Sequence, residues 1–176
     1  MPQITCLTPL GDITVSAEDD AIVALDWGRG RDQAPTPLLR EAVSQLQDYF
    51  DGQRTSFDLP LAPFGSPFQQ RVWAALLQIP AGETRSYGDL AKLLASSARA
   101  VGQANGRNPI PILIPCHRVV ATGGRLGGYS GGDGPATKRM LLDLERRARQ
   151  SSVADPVSSA AQAELLLPPS AGTLPR

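Results

Sequence analysis

Apolar residues change their spacing once along this chain, and that change constrains the fold more than any other feature. Up to Trp27 they alternate. Ile13, Val15 and Ala17 share one side of the segment Asp12 to Ala17, and in Ala21 to Trp27 the residues Ile22, Ala24 and Asp26 oppose Val23, Leu25 and Trp27. The acidic stretch Glu18-Asp19-Asp20 lies between them, so a β-hairpin of half-buried strands is predicted. From Thr36 onward the spacing is helical. Thr36 caps, Pro37 takes the first position, Leu38, Leu39, Val43, Leu46, Tyr49 and Phe50 make the stripe, and Asp51-Gly52 stops it. Thr55 to Leu61 reads as a returning strand, with Pro60 and Pro63 as the boundary of this unit.

Beyond the prolines the pattern stays helical. Ser66-Pro67-Phe68-Gln69 is a capping-box sequence, followed by the stripe Phe68, Val72, Trp73, Leu76 and Leu77 and a stop at Ile79-Pro80-Ala81-Gly82. Ser86 opens a short helix with Leu90, Ala91, Leu93 and Leu94 inward. Ser96 or Ser97 opens the next, from Ala98 to Gly106, and the pair predicts a helix-turn-helix. Its second helix is rich in small residues, which permits a partner to approach closely or packing against another helix. Asn108-Pro109-Ile110-Pro111 forces an extended or turning path into the apolar run Ile112 to Ile114, and Val119-Val120 resumes an apolar run after Cys116. Glycines cluster at Gly123-Gly124 and from Gly127 to Gly134. A last helix is predicted from Pro135 to Arg149 with Met140, Leu141 and Leu144 inward. The fold class is α+β: a small N-terminal α/β unit of hairpin plus helix (1–63), a mostly helical unit containing the helix-turn-helix (64–149), and a tail (150–176). The tail's Ser, Ala and Pro composition predicts disorder, save for a short helical turn over 160–167.

The formal net charge of zero hides an asymmetry. Met1 to Gly65 carries four basic and ten acidic residues, net −6, and Ser66 to Arg149 twelve basic and five acidic, net +7. The second half is suited to a polyanion such as nucleic acid, although solvated cations occur on any surface. No apolar stretch approaches the roughly 20 residues of a membrane span, and no signal peptide opens the chain, so an intracellular, cytoplasmic protein is expected. Its two cysteines, Cys6 and Cys116, lack both the density of a disulfide scaffold and the spacing of a zinc site.

Cys116 stands beside His117, the single histidine, and Arg118 follows. A thiolate is the nucleophilic form of cysteine, and a neighbouring imidazole, guanidinium or general base favours it. On the bare dipeptide, an inert buried cysteine beside a satisfied histidine is the commoner explanation. In an extended segment the two side chains point to opposite faces, so a bridging water would be needed between them.

Taken in order, the strings Phe68-Gln69-Gln70-Arg71-Val72-Trp73, Ile79-Pro80-Ala81-Gly82-Glu83-Thr84, Ser86-Tyr87-Gly88, Ala98-Arg99-Ala100-Val101-Gly102, Asn108-Pro109, Pro111 to Val119, Gly128-Tyr129-Ser130-Gly131-Gly132 and Lys138 to Glu145 resemble the catalytic domain of the O6-alkylguanine-DNA alkyltransferases. The resemblance covers about half the chain; the front portion is similar to the family's variable N-terminal domain only in size and layout.

The resemblance implies direct-reversal DNA repair, in which the alkyl group on guanine O6 passes irreversibly to Cys116. The damaged nucleotide must leave the stack to be reached. Arg99 matches the residue inserted in its place, and Tyr87 the tyrosine that turns the phosphate and hydrogen-bonds the base. Ala98, Ala100 and the following small residues match a helix docked in the minor groove of double-stranded DNA. Glu145, His117 and Cys116 match a carboxylate-imidazole-water-thiol relay. Asn108 matches a residue stabilising the active-site turn, Tyr129 and Ser130 match pocket residues, and Val119 with the Cys116 carbonyl matches a contact to the guanine edge. A monomer acting once, without metal or dissociable cofactor, is implied. Two other readings are a non-catalytic lesion binder of the alkyltransferase-like group, in which the cysteine is usually replaced by tryptophan, and a Cys-His hydrolase of unrelated fold.

Overall fold

The computed structural model describes residues 1–154. Three antiparallel strands, β1 (Gln3–Thr8), β2 (Gly11–Glu18) and β3 (Ala21–Trp27), pair in chain order, and α1 (Pro37–Phe50) packs across β1 and β2. The hairpin expected from the alternation is thus part of a larger sheet. β1 escaped the sequence pattern because its two buried positions are Cys6 and Thr8 rather than branched aliphatics. β2 is covered on both faces: Ile13, Val15 and Ala17 meet the core, while Thr14 and Ser16 are buried too. Thr14 explains the second face, since its hydroxyl donates to Gly28 O at 2.8 Å and accepts from Gly30 N at 2.8 Å as the chain after β3 folds back.

A bulge corrects the expected alternation in β3. Ala17 pairs with Ile22 but Ser16 pairs with Ala24, so one extra residue turns Ile22 and Leu25 to the same buried side. The expected strand Thr55 to Leu61 is also corrected. It contributes a single bridge, with Ile22 N donating to Pro60 O and Ala62 N to Ile22 O, both at 2.8 Å. Pro60 and Pro63 lack the N–H groups that would extend the ladder.

The second half is helical. α2 (Pro67–Leu76) starts at the expected capping box, with Ser66 N donating to Gln69 Oε1 at 2.8 Å and Gln69 N to Ser66 Oγ at 3.3 Å. Val72, Trp73 and Leu76 are buried, whereas Leu77 lies past the helix end and is exposed. α3 (Tyr87–Leu93) and α4 (Ala98–Gly106) form the helix-turn-helix, and Ser97 caps α4 by accepting from Ala100 N at 3.1 Å. Leu90, Ala91 and Leu94 face inward. Leu93, expected with them, falls on the opposite side of the turn and is 72% exposed. Two-residue strands β4 (Arg85–Ser86) and β5 (Val119–Val120) pair in parallel, which ties the start of α3 to the segment following Cys116.

α5 (Pro135–Ala154) buries Leu141 and Leu142, while Met140, expected inward, is exposed. The helix passes Arg149, so the first residues assigned to a tail are helical; the expectations for 155–176, including a turn over 160–167, lie outside the described residues. Among the described residues no helix is long and apolar enough to cross a membrane.

Candidate active site

Asn108 organises the segment that carries Cys116. Its Nδ2 donates to Ile114 O at 2.8 Å and its Oδ1 accepts from Ile110 N at 3.0 Å, closing a loop stapled again by Ile114 N to Ile110 O at 2.9 Å. Inside this loop Ile112 is buried with φ +74°. A β-branched residue in the left-handed region stores about 1–3 kcal/mol of strain, which the packing around it must offset. The chain then enters a 3-10 turn, Cys116–Arg118, rather than the extended path expected, with Arg118 N donating to Pro115 O at 3.0 Å. The turn sends Cys116 toward a pocket and both His117 and Arg118 toward Glu145 of α5.

His117 is fully buried and its Nε2 lies 2.7 Å from Glu145 Oε1. Arg118 grips the same carboxylate with two bonds, Nε to Oε2 at 2.9 Å and Nη2 to Oε1 at 2.8 Å, and donates to Ile79 O with Nη1. Tyr49 Oη donates to Oε1 at 2.7 Å, and Gly82 N approaches Oε2 at 3.4 Å. Gly82 has φ +79°, and a Cβ there would meet Arg149 Cδ at 3.0 Å, so the close turn requires glycine. Burial alone would push the Glu145 carboxyl up, but His117 and Arg118 hold it at about 2. Burial pushes the imidazole of His117 down, and the Arg118 and Lys138 charges add to this against the opposing pull of Glu145. The imidazole is therefore neutral near pH 7, with its proton on Nε2 facing the carboxylate; Nδ1 makes no hydrogen bond among the described residues.

Cys116 is 4% exposed and lines a pocket of about 490 Å³ bounded by the end of β3 (Leu25 to Trp27), the last turns of α4 (Gly102, Asn105) and the loop carrying Tyr129 and Ser130. Burial raises the thiol pKa, while Asn108, the Lys138 charge and Tyr129 pull it back. Arg118, expected to favour the thiolate, is spent on Glu145. The cation coupled to the sulfur is Lys138, fully buried, bonded to Val119 O and 6.0 Å from the Tyr87 ring centroid. Tyr87 is half-buried between α4, the glycine loop and Lys138, its phenol pKa raised by burial and then by Cys116. Tyr129 shows the same response more strongly, and its hydroxyl has no hydrogen-bond partner among the described residues. Val119 is fully buried, and the Cys116 carbonyl already accepts from Asn105 Nδ2 at 3.3 Å.

Ala98 and Arg99 are exposed in the first turn of α4 and Ala100 is half-buried. Arg99, Gly102 and Gly106 are three and four residues apart, so the helix aligns the exposed guanidinium with the pocket wall. Ser130 is exposed at the pocket rim.

Sequence reasoning assigned no role to Tyr49, Lys138, Asn105 or Trp27. Tyr49 read as one of the apolar stripe and Trp27 as a strand residue; Lys138, next to Arg139 near the start of a helix, read as an ordinary surface cation. Among the described residues no group of three or more His, Cys, Asp or Glu is placed to hold a metal ion.

A thiol at the base of a pocket, backed by an imidazole-carboxylate pair and flanked by a helix-turn-helix, defines a class: proteins that join a candidate nucleophilic cysteine to a nucleic-acid-binding element. Comparison with known proteins narrows it. The family model described as "6-O-methylguanine DNA methyltransferase, ribonuclease-like domain" matches residues 4–63, and that described as "6-O-methylguanine DNA methyltransferase, DNA binding domain" matches residues 67–147. The constitutive methylated-DNA–protein-cysteine methyltransferase of Bacillus subtilis is 46% identical over 81% of this chain and 93% of its own length. The crystal structure of Mycobacterium tuberculosis OGT in complex with DNA is similar at 44% identity and TM-score 0.75, covering 84% of this chain and 94% of that one. The O6-methylguanine DNA methyltransferase of Methanococcus jannaschii is similar at 30% identity and TM-score 0.60, covering 81% of this chain and 93% of its own. The chain belongs to the methylated-DNA–protein-cysteine methyltransferase family.

Proposed function

We propose that Cys116 accepts the alkyl group of O6-alkylguanine in double-stranded DNA, in a direct-reversal repair reaction that each molecule performs once. The observation that carries this is the thiol at the wall of a pocket of about 490 Å³, adjacent in sequence to an imidazole whose other nitrogen is held by a carboxylate. His117, neutral and with Nδ1 free, is the base: it takes the thiol proton through a water, and Glu145 stabilises the imidazolium formed. The thiolate attacks the alkyl carbon, a C–S bond forms as the C–O6 bond breaks, and the electron pair leaves on guanine, which takes up a proton. The product is a thioether, which neither water nor cellular thiols reverse.

Burial of Cys116 supports a base extruded into the pocket rather than one read in the duplex. In this reading α4 docks in the minor groove with Ala98 and Ala100 near the backbone, Arg99 fills the gap in the stack, and Tyr87 turns the target phosphate. Tyr129 and Ser130 line the guanine site, Val119 and the Cys116 carbonyl stand at its edge, and Asn108 holds the turn. The units divide at residues 63 and 64, and the protein acts as an intracellular monomer with no cofactor. The test is intact-protein mass after mixing with duplex DNA containing O6-methylguanine. One methyl group added, mapped to Cys116 and abolished by Cys116→Ala, is the expected outcome; unchanged mass with tight binding would overturn the transfer reading.

A further inference from the structure

We propose that Tyr49 is a positioning residue for the alkyl transfer: its phenol, reaching over from the N-terminal helix, fixes the Glu145 carboxylate and withholds part of its basicity from His117. This rests on the assignment of Cys116 as acceptor and His117 as base. Glu145 Oε1 takes three donors at once, His117 Nε2 at 2.7 Å, Arg118 Nη2 at 2.8 Å and Tyr49 Oη at 2.7 Å. Each donor draws on the same lone pairs, so the more the phenol takes, the less remains to stabilise a protonated imidazole. The hydroxyl is not needed for packing. Tyr49 is 1% exposed and its ring sits against Phe50 and Phe57, with centroids 5.3 Å and 5.2 Å away, surroundings that a phenylalanine would satisfy. Burying a hydroxyl costs free energy unless it is hydrogen-bonded, and its bond here is to a carboxylate 96 residues away.

The groups facing Glu145 come from every element around it. Tyr49 arrives from α1, the Gly82 amide from the turn after α2, and His117 and Arg118 from the 3-10 turn. On α5 itself Lys138 lies two turns before it, and Arg149, one turn after, pairs with Glu83 at 3.2 Å; Tyr129 of the pocket loop couples weakly to Tyr49. Tyr49 is the side chain in this set drawn from the segment matched to the ribonuclease-like domain. The phenol stays protonated, because burial, then the Glu145 charge and hydrogen bond, raise its pKa well above the ordinary value. It is a fixed donor throughout the working pH range.

The sign follows. Removing the donor makes Glu145 a better acceptor for His117, the imidazolium is favoured, and the acid limb of the transfer rate moves to higher pH. The experiment measures benzylation of Cys116 by free O6-benzylguanine from about pH 5 to about pH 9, which needs neither DNA binding nor base extrusion, in the wild type, in Tyr49→Phe and in the packing control Phe57→Leu. His117, the single histidine, gives a uniquely assigned NMR titration in each. In Tyr49→Phe the acid limb and the His117 midpoint should both rise by roughly one pH unit, with neither moving in Phe57→Leu. Superimposable profiles for wild type and Tyr49→Phe, or an equal shift in Phe57→Leu, would overturn the proposal. A wild-type chain that takes up neither the benzyl group nor, from duplex DNA, the methyl group of O6-methylguanine would overturn the acceptor assignment itself, and this inference with it; where the methyl group alone is accepted, the same pH profiles are read on that transfer. Should Tyr49→Phe not fold, the wild type decides: a slowly exchanging, downfield phenolic proton with a cross-peak to the His117 Nε2 proton is expected, and its absence refutes the bond.

Discussion

Cys116 is held as a neutral thiol by burial, and what moderates this is the Asn108 side chain, then the Lys138 charge and Tyr129, rather than its sequence neighbour Arg118. Replacing Lys138 with methionine keeps the volume but removes the cation, so thiolate formation becomes harder. Benzylation by O6-benzylguanine should slow by roughly tenfold at neutral pH, and the gap should narrow as pH rises beyond the thiol's ordinary range; a uniform loss at every pH would assign Lys138 to support of Val119 alone. Two further groups set the acid stability. His117 has its folded pKa below 6.5 and Glu145 its own at about 2 against an ordinary 4.5, so in both cases the unfolded chain binds the proton first. Stability is complete above about pH 6.5 and falls as pH drops through two windows, from 6.5 downward for His117 and from 4.5 toward 2 for Glu145. Denaturant midpoints measured across this range should show both declines, and His117→Asn should abolish the upper one. The Cys116-His117 pair was legible because the two residues are adjacent. Lys138 and Tyr49 were not, since their meaning depends on contacts made across 19 and 96 residues.

At the level of elements, the helices were legible wherever a cap preceded a stripe: Ser66 and Ser97 stand where the spacing predicts, and α4 has the expected bounds. Leu77, Leu93 and Met140 were misread because an apolar residue at a helix end or shoulder need not face the core. The β3 bulge was invisible for a different reason, since one inserted residue leaves composition unchanged while switching the face of all that follows. α4 carries the DNA-side prediction. Arg99 is exposed and in line with the pocket, so Arg99→Ala should slow repair of duplex O6-methylguanine by more than tenfold while leaving the reaction with free O6-benzylguanine within about twofold; equal losses in the two assays would sink the wedge role. The glycine loop makes the opposite kind of demand. A Cβ on Gly131 would stand 2.8 Å from the Tyr129 ring and 2.9 Å from Trp27 Nε1. Gly131→Ala should therefore displace Tyr129 and slow benzylation without changing affinity for duplex DNA, as binding titration would show.

Across the whole molecule, charge is segregated along the chain rather than neutral, with net −6 before Ser66 and net +7 from there to Arg149. The α+β order and this segregation were both readable from the sequence, but the way the halves meet was not: Tyr49 and Trp27 cross from the first into the site of the second. Binding through the basic half should weaken steeply as salt rises, by roughly one decade in affinity for each decade in salt per phosphate neutralised; fluorescence anisotropy with a labelled duplex at several ionic strengths measures the slope, and a flat line would refute a phosphate-led interface. The indole backing Gly131 reaches further than packing. Because Trp27 and Gly131 both line the pocket, a chimera that takes its first sixty or so residues from a relative should, under the proposed transfer, keep every reacting atom and yet differ from the parent in the bulk of the adducts it accepts.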